Sequence, residues 1–321
     1  MSRVIVVVIA VVLLFGAGAI FLRQDNSNVL NAQTEYITVT TSVANNVEEI
    51  TIPAKPQRVV FLTASSLEMW LAVGGTDTIV GRPRSSMVPK EVMDKLSDKV
   101  EDVGLPGGVS LEKVLLLKPD LVVGVPMVAV QQQMVAPLQQ AGIPFLAMPN
   151  YSIEDVYAEL RMFGKLTGKE DLAEKEVQRI ADNIALEAKR REGREVKKVL
   201  LIWGTPASFS MVLPNSRQGD VLRLAGGENI AHDPGTGVKF VPFSLEYAVE
   251  QNPDYVLFIT HGDKDKLETQ MDKTLSESSS WQTIKAVKEG RVYVLPPELF
   301  AVNPGPRIDE AVVFLSKLLY P

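Results

Sequence analysis

The stretch EDLAEKEVQRIADNIALEAKRR, Glu170–Arg191, contains neither glycine nor proline and therefore predicts one uninterrupted helix. Its apolar positions are taken by Leu172, Val177, Ile180, Ile184 and Leu186. At about 1.5 Å per residue, this helix would be roughly 33 Å long, which is close to the width of a small domain. A helix of that length in mid-chain predicts a stiff connection between two domains.

On either side of this helix the chain repeats a phrase, first as SLEKVLLLKPDLVV (Ser110–Val123) and then as SLEYAVEQNPDYVL (Ser244–Leu257). Each copy begins with a serine suited to cap a short helix, and a proline then separates that helix from an apolar run typical of a buried strand. Strands and helices alternate around both copies, which predicts an α/β fold of two lobes. Each lobe is expected to contain a mostly parallel sheet, with a ligand cleft between the lobes at the carboxyl ends of the strands.

The N-terminal run Val4–Leu22 is uncharged and is long enough to cross most of a bilayer core. We favour an uncleaved membrane anchor over a signal peptide cut after Ala19, because the apolar run continues beyond that position. The sequence contains no cysteine, which excludes lipid attachment through a cysteine, disulfides and thiol catalysis. We expect the bulk of the chain to lie outside the cytoplasm, tethered by this segment or secreted if it is cleaved.

The patterns divide the chain into five segments. These are an anchor or signal peptide (1–23), a spacer with a β-hairpin (24–56), an N-terminal lobe (57–152), a linker helix region (153–193) and a C-terminal lobe (194–321).

Composition narrows the classes of function. Of the 321 residues 46% are hydrophobic and 22% are charged, as in a globular protein with a large core. The net charge of −6 provides no broad positive field, so nucleic acid is not an expected partner. The sequence has no G-x-S-x-G, P-loop or H-E-x-x-H motif, so we do not expect an enzyme. An unrecognised extracytoplasmic hydrolase is the alternative from another class.

Several blocks of this sequence resemble, in order, those of extracytoplasmic substrate-binding proteins of ABC importers for iron complexes and cobalamin. They are PQRVVFLTASSLEMWLAVGG, SLEKVLLLKPDLVVG, GDVLRLAGGENI, SLEYAVEQNPDYVLFI and WQTIKAVKEGRVYVL. The resemblance implies two α/β lobes joined by a single long helix. It also implies a small metal chelate as transported ligand, no cofactor of the protein's own, and a permease dimer with its ATPase as partner.

Within that family, LLIWGTPASF, GDVLRLAGGENI and VLFITHGD look most like the haem receptors of Gram-positive haem uptake. The histidine that ligates the haem iron there corresponds to His261, and a neutral imidazole is a suitable iron ligand. Those receptors have a methionine as second axial ligand in a loop where this chain has GLPGGV, so Met127 is the candidate replacement. Haem is the favoured ligand, and a ferric siderophore or a corrinoid stays open.

Other residues are expected at the cleft. Arg82 and Arg84 could bind ligand carboxylates bidentately, although solvated surface charges are the commoner fate of arginine. Further candidates are Ser65 at the start of the first lobe helix, and Tyr151, Trp203 and Phe209, which could stack on a flat macrocycle or simply pack in the core.

The repeated phrase places a glutamate in the first turn of a helix in each lobe, at Glu112 and Glu246. A glutamate there is favoured by the helix dipole, which by itself accounts for either copy. The resemblance implies in addition that both glutamates are exposed and dock into arginine-lined pockets on the two permease subunits.

Overall fold

The computed structural model describes residues 35–43, 46–84, 89–125, 127–149, 151–205, 208–261, 265, 269 and 278–321. These residues form two α/β lobes, which confirms the predicted fold class. The strands are β1 (Tyr36–Val43), β2 (Asn46–Pro53), β3 (Val59–Phe61), β4 (Ile79–Arg82), β5 (Glu101–Asp102), β6 (Gly104–Leu105), β7 (Gly108–Val109), β8 (Leu121–Gly124), β9 (Phe145–Ala147), β10 (Lys197–Gly204), β11 (Phe209–Val212), β12 (Gly227–Asn229), β13 (Phe240–Pro242), β14 (Tyr255–Ile259) and β15 (Val292–Val294). The helices are α1 (Ala64–Ala72), α2 (Lys90–Met93), α3 (Leu111–Leu116), α4 (Ala129–Gln140), α5 (Ile153–Thr167), α6 (Glu170–Arg190), α7 (Arg217–Leu224), α8 (Leu245–Gln251), α9 (Lys285–Lys288), α10 (Pro297–Phe300) and α11 (Ile308–Leu319).

The N-terminal lobe is built on a parallel sheet of strand order β5-β4-β3-β8-β9. Its central strands are fully buried, as expected where helices cover both faces of a parallel sheet. The predicted hairpin forms from β1 and β2, and it packs beside β9. There the Thr41 hydroxyl accepts a hydrogen bond from the Ala147 amide (2.9 Å) and donates one to the Ala147 carbonyl (3.1 Å).

The C-terminal lobe has a mixed sheet of strand order β13-β11-β10-β14-β15. Strands β10, β14 and β15 run parallel, as the sequence predicts. The edge differs from the prediction, because β11 pairs antiparallel with the second half of β10 while β12 pairs parallel with its first half.

Helices α5 and α6 follow one another in the chain between the sheets of the two lobes. Helix α6 is 21 residues long, as predicted, and packs against α5, α1 and α11. Helix α5 precedes it with a capping box between Ser152 and Asp155, and it ends at Gly168 in the left-handed conformation (φ 65°). The buried face of α6 is narrower than its apolar pattern suggests, because Leu172 and Leu186 are exposed.

One ion pair joins the two lobes, and another joins the linker helix α6 to the C-terminal lobe. Arg307, which follows α10, donates to the buried carboxylate of Glu68 in α1 at 3.0 Å. Arg179 of α6 donates to Asp309 of α11 at 2.7 Å. Burial raises the pKa of Glu68, and the Arg307 guanidinium opposes that shift.

Among the residues described, no helix combines the length and apolarity needed to cross a membrane. The predicted anchor Val4–Leu22 lies outside them.

Candidate ligand site between the lobes

A cavity of about 570 Å³ lies between the lobes at the carboxyl ends of the parallel strands. This volume is within the range of roughly 300–1,000 Å³ that is typical of small-molecule sites. Its described wall is formed by Thr63, Ala64, Ser65, Pro106, Val125, Met127, Val128, Met148, Tyr151, Trp203, Ser210, Ser216, Arg217, Gln218, Lys239, Phe240, His261, Ala301, Val302 and Asn303. Most of these side chains present apolar atoms to the cavity, and a few polar groups interrupt them.

The aromatic part of the wall comes from two adjacent parallel strands. Trp203 of β10 stands in register with Ile259 of β14, and His261 follows β14 by two residues. This pairing brings the Trp203 and His261 rings together edge to face, with centroids 4.9 Å apart and planes at 69°. Phe240 continues the cluster, with its centroid 5.6 Å from that of Trp203. The wall therefore holds an imidazole against a hydrophobic surface.

The electrostatic surroundings of His261 keep its imidazole neutral. Desolvation lowers its pKa below the usual value, and the positive charge of Arg217 lowers it further. The residue nevertheless remains exposed towards the cavity. A neutral imidazole with an accessible ring nitrogen can coordinate a metal ion at pH 7.

Two cations that the sequence analysis missed line the same cavity. Arg217 is the first residue of α7 and donates to the Val302 carbonyl at 3.1 Å. Shielding from bulk water lowers the pKa of Arg217 to about 10, so the guanidinium stays charged at pH 7. The Lys239 ammonium donates to the Asn215 carbonyl at 2.8 Å and lies 4.9 Å from the centre of the Tyr151 ring.

The N-terminal lobe contributes a different surface. Its wall comes from the first turn of α1, from Pro106 between β6 and β7, and from the loops after β8 and β9. Among the described residues this wall has no charged side chain. It contains two thioethers, of which Met148 is buried and Met127 is 57% exposed.

Five of the predicted ligand residues meet in this cavity. They are Ser65, Met127, Tyr151, Trp203 and His261.

Arg82 and Arg84 are not part of the described cavity wall. Strand β5 pairs with β4 so that Asp102 stands in register with Arg82. The Asp102 carboxylate lies 2.9 Å from Arg84 Nε and 4.0 Å from Arg82 Nη1. The arginine pair thus neutralises an acid on the neighbouring strand, and the cations of the cavity are Arg217 and Lys239 instead.

Phe209 also lies outside the described wall, for a reason of strand geometry. Side chains alternate along β11, so Ser210 faces the cavity while Phe209 points to the opposite face of the sheet. There its ring packs against those of Phe243 and Phe258, at centroid distances of 6.4 and 5.8 Å. Phe209 was predicted at the ligand site, but its ring belongs to the hydrophobic core of the C-terminal lobe.

Glu112 and Glu246 are exposed in the first turns of α3 and α8. The Ser110 and Ser244 hydroxyls accept hydrogen bonds from the amides three residues on, so both predicted caps form. Neither glutamate has an ion-pair partner among the described residues, which leaves both carboxylates open to solvent.

The described residues contain no cluster of three or more His, Cys, Asp or Glu side chains that could hold a bare metal ion. A metal held only by His261 and a thioether would need further ligands of its own.

Comparisons with known proteins agree on one family. Residues 59–299 match the model of the family described as periplasmic binding protein. The chain is 31% identical over 318 residues to YvrC of Bacillus subtilis, an uncharacterised ABC transporter substrate-binding lipoprotein, and the match covers 98% of this chain and 95% of YvrC. It is 26% identical over 252 residues to IsdE of Staphylococcus aureus, a high-affinity heme uptake system protein, covering 75% and 80% of the two chains.

A solved structure gives the same result. An ABC transporter substrate-binding protein from Listeria monocytogenes superposes with a TM-score of 0.72 at 26% identity, covering 83% of this chain and 99% of that one.

Proposed function

The chain belongs to the periplasmic binding protein family, as the substrate-binding protein of an ABC transporter, and on that basis we propose that it captures haem between its lobes and delivers it to a membrane permease. Its relatives are binding proteins and not enzymes, in agreement with the motifs that the sequence lacks. In this proposal His261 ligates the haem iron. A ferric siderophore or a corrinoid is the competing ligand.

One observation carries the choice of haem. A neutral imidazole stands beside the ring of Trp203 in a cavity whose wall is mostly apolar. Haem offers a flat hydrophobic ring together with an iron that takes axial ligands, so one molecule would satisfy both features. The haem uptake function of IsdE supports the same choice.

For the second axial position we propose Met127. Its side chain lines the cavity from the N-terminal lobe and is exposed. A thioether on an unbranched side chain adapts readily to a ligand and binds haem iron in other His/Met proteins.

Docking on the permease is assigned to Glu112 and Glu246. One exposed carboxylate on each lobe would fix the register on two basic pockets more than it would add affinity. The tether is assigned to residues 1–23, since this sequence has no cysteine that could carry a lipid.

The proposal is tested by titrating the purified apoprotein (residues 24–321) with haem and following the Soret band. We expect saturable one-to-one binding with a shifted band, and at least a tenfold loss of affinity with a changed spectrum in His261→Ala. His232→Ala is the matched control, because His232 is the other histidine of the chain, is exposed and lies outside the described wall. A spectrum identical to that of free haem would remove haem and leave the siderophore or corrinoid, whereas a shifted spectrum unchanged by His261→Ala would remove His261 as the iron ligand.

A further inference from the structure

One buried polar side chain supports the N-terminal wall of the cavity from behind. Gln131 lies in the first turn of α4, has no exposed surface and is absent from the described cavity wall. Glutamine is mostly a surface residue, and burying its carboxamide is costly unless that group is hydrogen-bonded. The hydrogen-bond partners of Gln131 therefore indicate why it is buried here.

The Gln131 carboxamide bonds to the backbone of three separate segments. Its Oε1 accepts a hydrogen bond from the Val125 amide at 2.9 Å. Its Nε2 donates to the Pro106 carbonyl at 3.1 Å and to the Leu62 carbonyl at 3.5 Å. Among the described residues, neither the Val125 amide nor the Pro106 carbonyl has another hydrogen-bond partner. The loops after β8 and between β6 and β7 therefore depend on this one side chain for these bonds.

Each of the three attachment points adjoins the cavity. Pro106 and Val125 line it themselves, and Leu62 directly precedes Thr63, where the wall segment at α1 begins. Met127 follows Val125 by two residues in the same loop. Because the three segments are bonded to one side chain behind the wall, their spacing at the cavity is fixed by that side chain.

The strand next to the carboxamide leaves no room for a side chain. A Cβ at Gly124 would lie 2.6 Å from Gln131 Oε1 and 2.7 Å from the Phe145 ring. A glycine within a strand often marks the close approach of another group, and here that group is the carboxamide. This close packing holds the carboxamide in the position from which it reaches Val125 and Pro106 together.

We propose that Gln131 is a positioning residue that sets the shape of the N-terminal cavity wall, and through that wall the ligand affinity and the placement of Met127. The inference rests on the proposed function for the use of haem as ligand, whereas the bonds to the wall segments do not depend on it. Groups that orient the residues in contact with a metal complex contribute to its affinity without touching it.

The test measures haem affinity and the absorption spectrum of bound haem in Gln131→Met, which keeps the length of the side chain but none of its three hydrogen bonds. We expect about tenfold weaker binding, because all three wall segments are released, and a shifted Soret band, because the loop that carries Met127 moves. Leu138→Ala is the matched control, since Leu138 is equally buried on α4 and absent from the described wall. It should lower stability towards urea but keep the affinity and the band.

A second measurement needs no ligand. In the protein without haem, the Val125 amide should exchange its hydrogen faster in Gln131→Met than in the wild type or in Leu138→Ala, because it has lost its acceptor. Gln131→Glu serves if Gln131→Met does not fold. Its carboxylate still accepts from Val125 but cannot donate to Pro106, so haem affinity should fall while the Val125 amide stays protected.

The two measurements separate this inference from the choice of haem. Equal losses of haem affinity in Gln131→Met and Leu138→Ala, or an unchanged exchange rate of the Val125 amide in Gln131→Met, would overturn the positioning role and leave haem as ligand. Failure of haem to bind to the wild-type protein would overturn haem, and the exchange of the Val125 amide would still decide the role of Gln131.

Discussion

The two walls of the cavity come from lobes that repeat the same plan, yet they differ in chemistry. The C-terminal wall holds the imidazole, the indole and both cations, whereas the described N-terminal wall has no charged side chain and offers methyl groups, hydroxyls, thioethers and the ring of Tyr151. The shared plan extends to the capped helices that carry Glu112 and Glu246. The lobes are therefore alike at the surface helices proposed to dock on the permease and unlike at the cavity walls.

This difference suggests a division of labour. We expect the C-terminal lobe to supply coordination and charge neutralisation to a ligand, and the N-terminal lobe to cover its apolar face. Burying such a face stabilises a complex by about 25 cal/mol per Å² without requiring particular contacts. Substitutions on the C-terminal wall should therefore cost more affinity than substitutions of similar size on the N-terminal wall.

The largest effect is expected from Glu112 and Glu246, which occupy equivalent helix positions in the two lobes. Glu112→Ala combined with Glu246→Ala should abolish transport into proteoliposomes that contain the cognate permease and ATPase, because both docking carboxylates are removed. The haem affinity of the double variant should stay within about twofold of the wild type, since neither residue lines the described wall.

Each single variant should retain part of the transport. Loss of haem binding in the double variant would count against a docking role.

The Arg307–Glu68 ion pair, which joins the two lobes, is expected to contribute to stability. Arg307→Met leaves the buried Glu68 carboxylate, 4% exposed in its side chain, without its partner. Breaking such a pair costs about 3 kcal/mol in free energy of unfolding, measured by urea denaturation. Arg161→Met is the matched control, because the Arg161–Glu174 pair is solvent-exposed and should contribute little to stability. Equal losses in the free energy of unfolding for the two variants would show that the Arg307–Glu68 pair adds no more stability than an exposed pair.

Acidification should weaken haem binding, because it protonates His261 on the C-terminal wall. The pKa of His261 is lowered, so its imidazole is neutral at pH 7 and takes up a proton only below the usual histidine range. Haem affinity should be flat from pH 8 to about pH 6.5 and fall, once below the lowered pKa, by about tenfold per pH unit as protons compete with iron.

Arg217→Gln removes the positive charge that contributes to this shift. The pKa of His261 should rise in that variant, and the decline in haem affinity should move to higher pH. A pH profile of haem affinity that is identical in both proteins would mean that the charge of Arg217 does not affect the pKa of His261.

The smallest effect is expected on the N-terminal wall. Met127→Leu keeps the volume and apolarity of the side chain and removes the thioether, so haem affinity should fall by only about fivefold. The absorption spectrum should nevertheless change, because one axial ligand is lost. An unchanged spectrum would exclude Met127 as that ligand, and Met148→Leu would then be the variant to measure.

Much of the fold could be predicted because its signals are local. Capping serines, helix-ending glycines and β-branched runs identify most strands and helices of both lobes. The long helix can be predicted because its sequence contains no glycine or proline. The antiparallel edge around β11 was missed, since short strands after a turn carry little periodicity. Helix α5 was not predicted as a separate helix within the linker region, because the sequence before Gly168 gives no clear signal of where this helix begins.

The site was predictable only in part. His261 and Trp203 end neighbouring parallel strands, which is a topological signal that the sequence contains. Arg217 sits in a polar stretch, NSRQGD, that is typical of a solvated helix start, and only the tertiary fold turns it into the cavity. Arg82 looked equally suitable, but the pairing of β4 with β5 gives it Asp102, and such a long-range pairing has no local signature.

The most direct test of the account asks whether a nitrogen of His261 is bound to the ligand's iron. The protein would be produced with ¹⁵N-labelled histidine, loaded with ferric haem and studied by pulsed EPR for hyperfine coupling between the iron spin and ¹⁵N. The chain has only two histidines, so His232→Ala and His261→Ala complete the experiment. The account predicts a strong histidine coupling in the wild type and in His232→Ala that is absent in His261→Ala. A coupling that survives in His261→Ala, or none in the wild type, would contradict it.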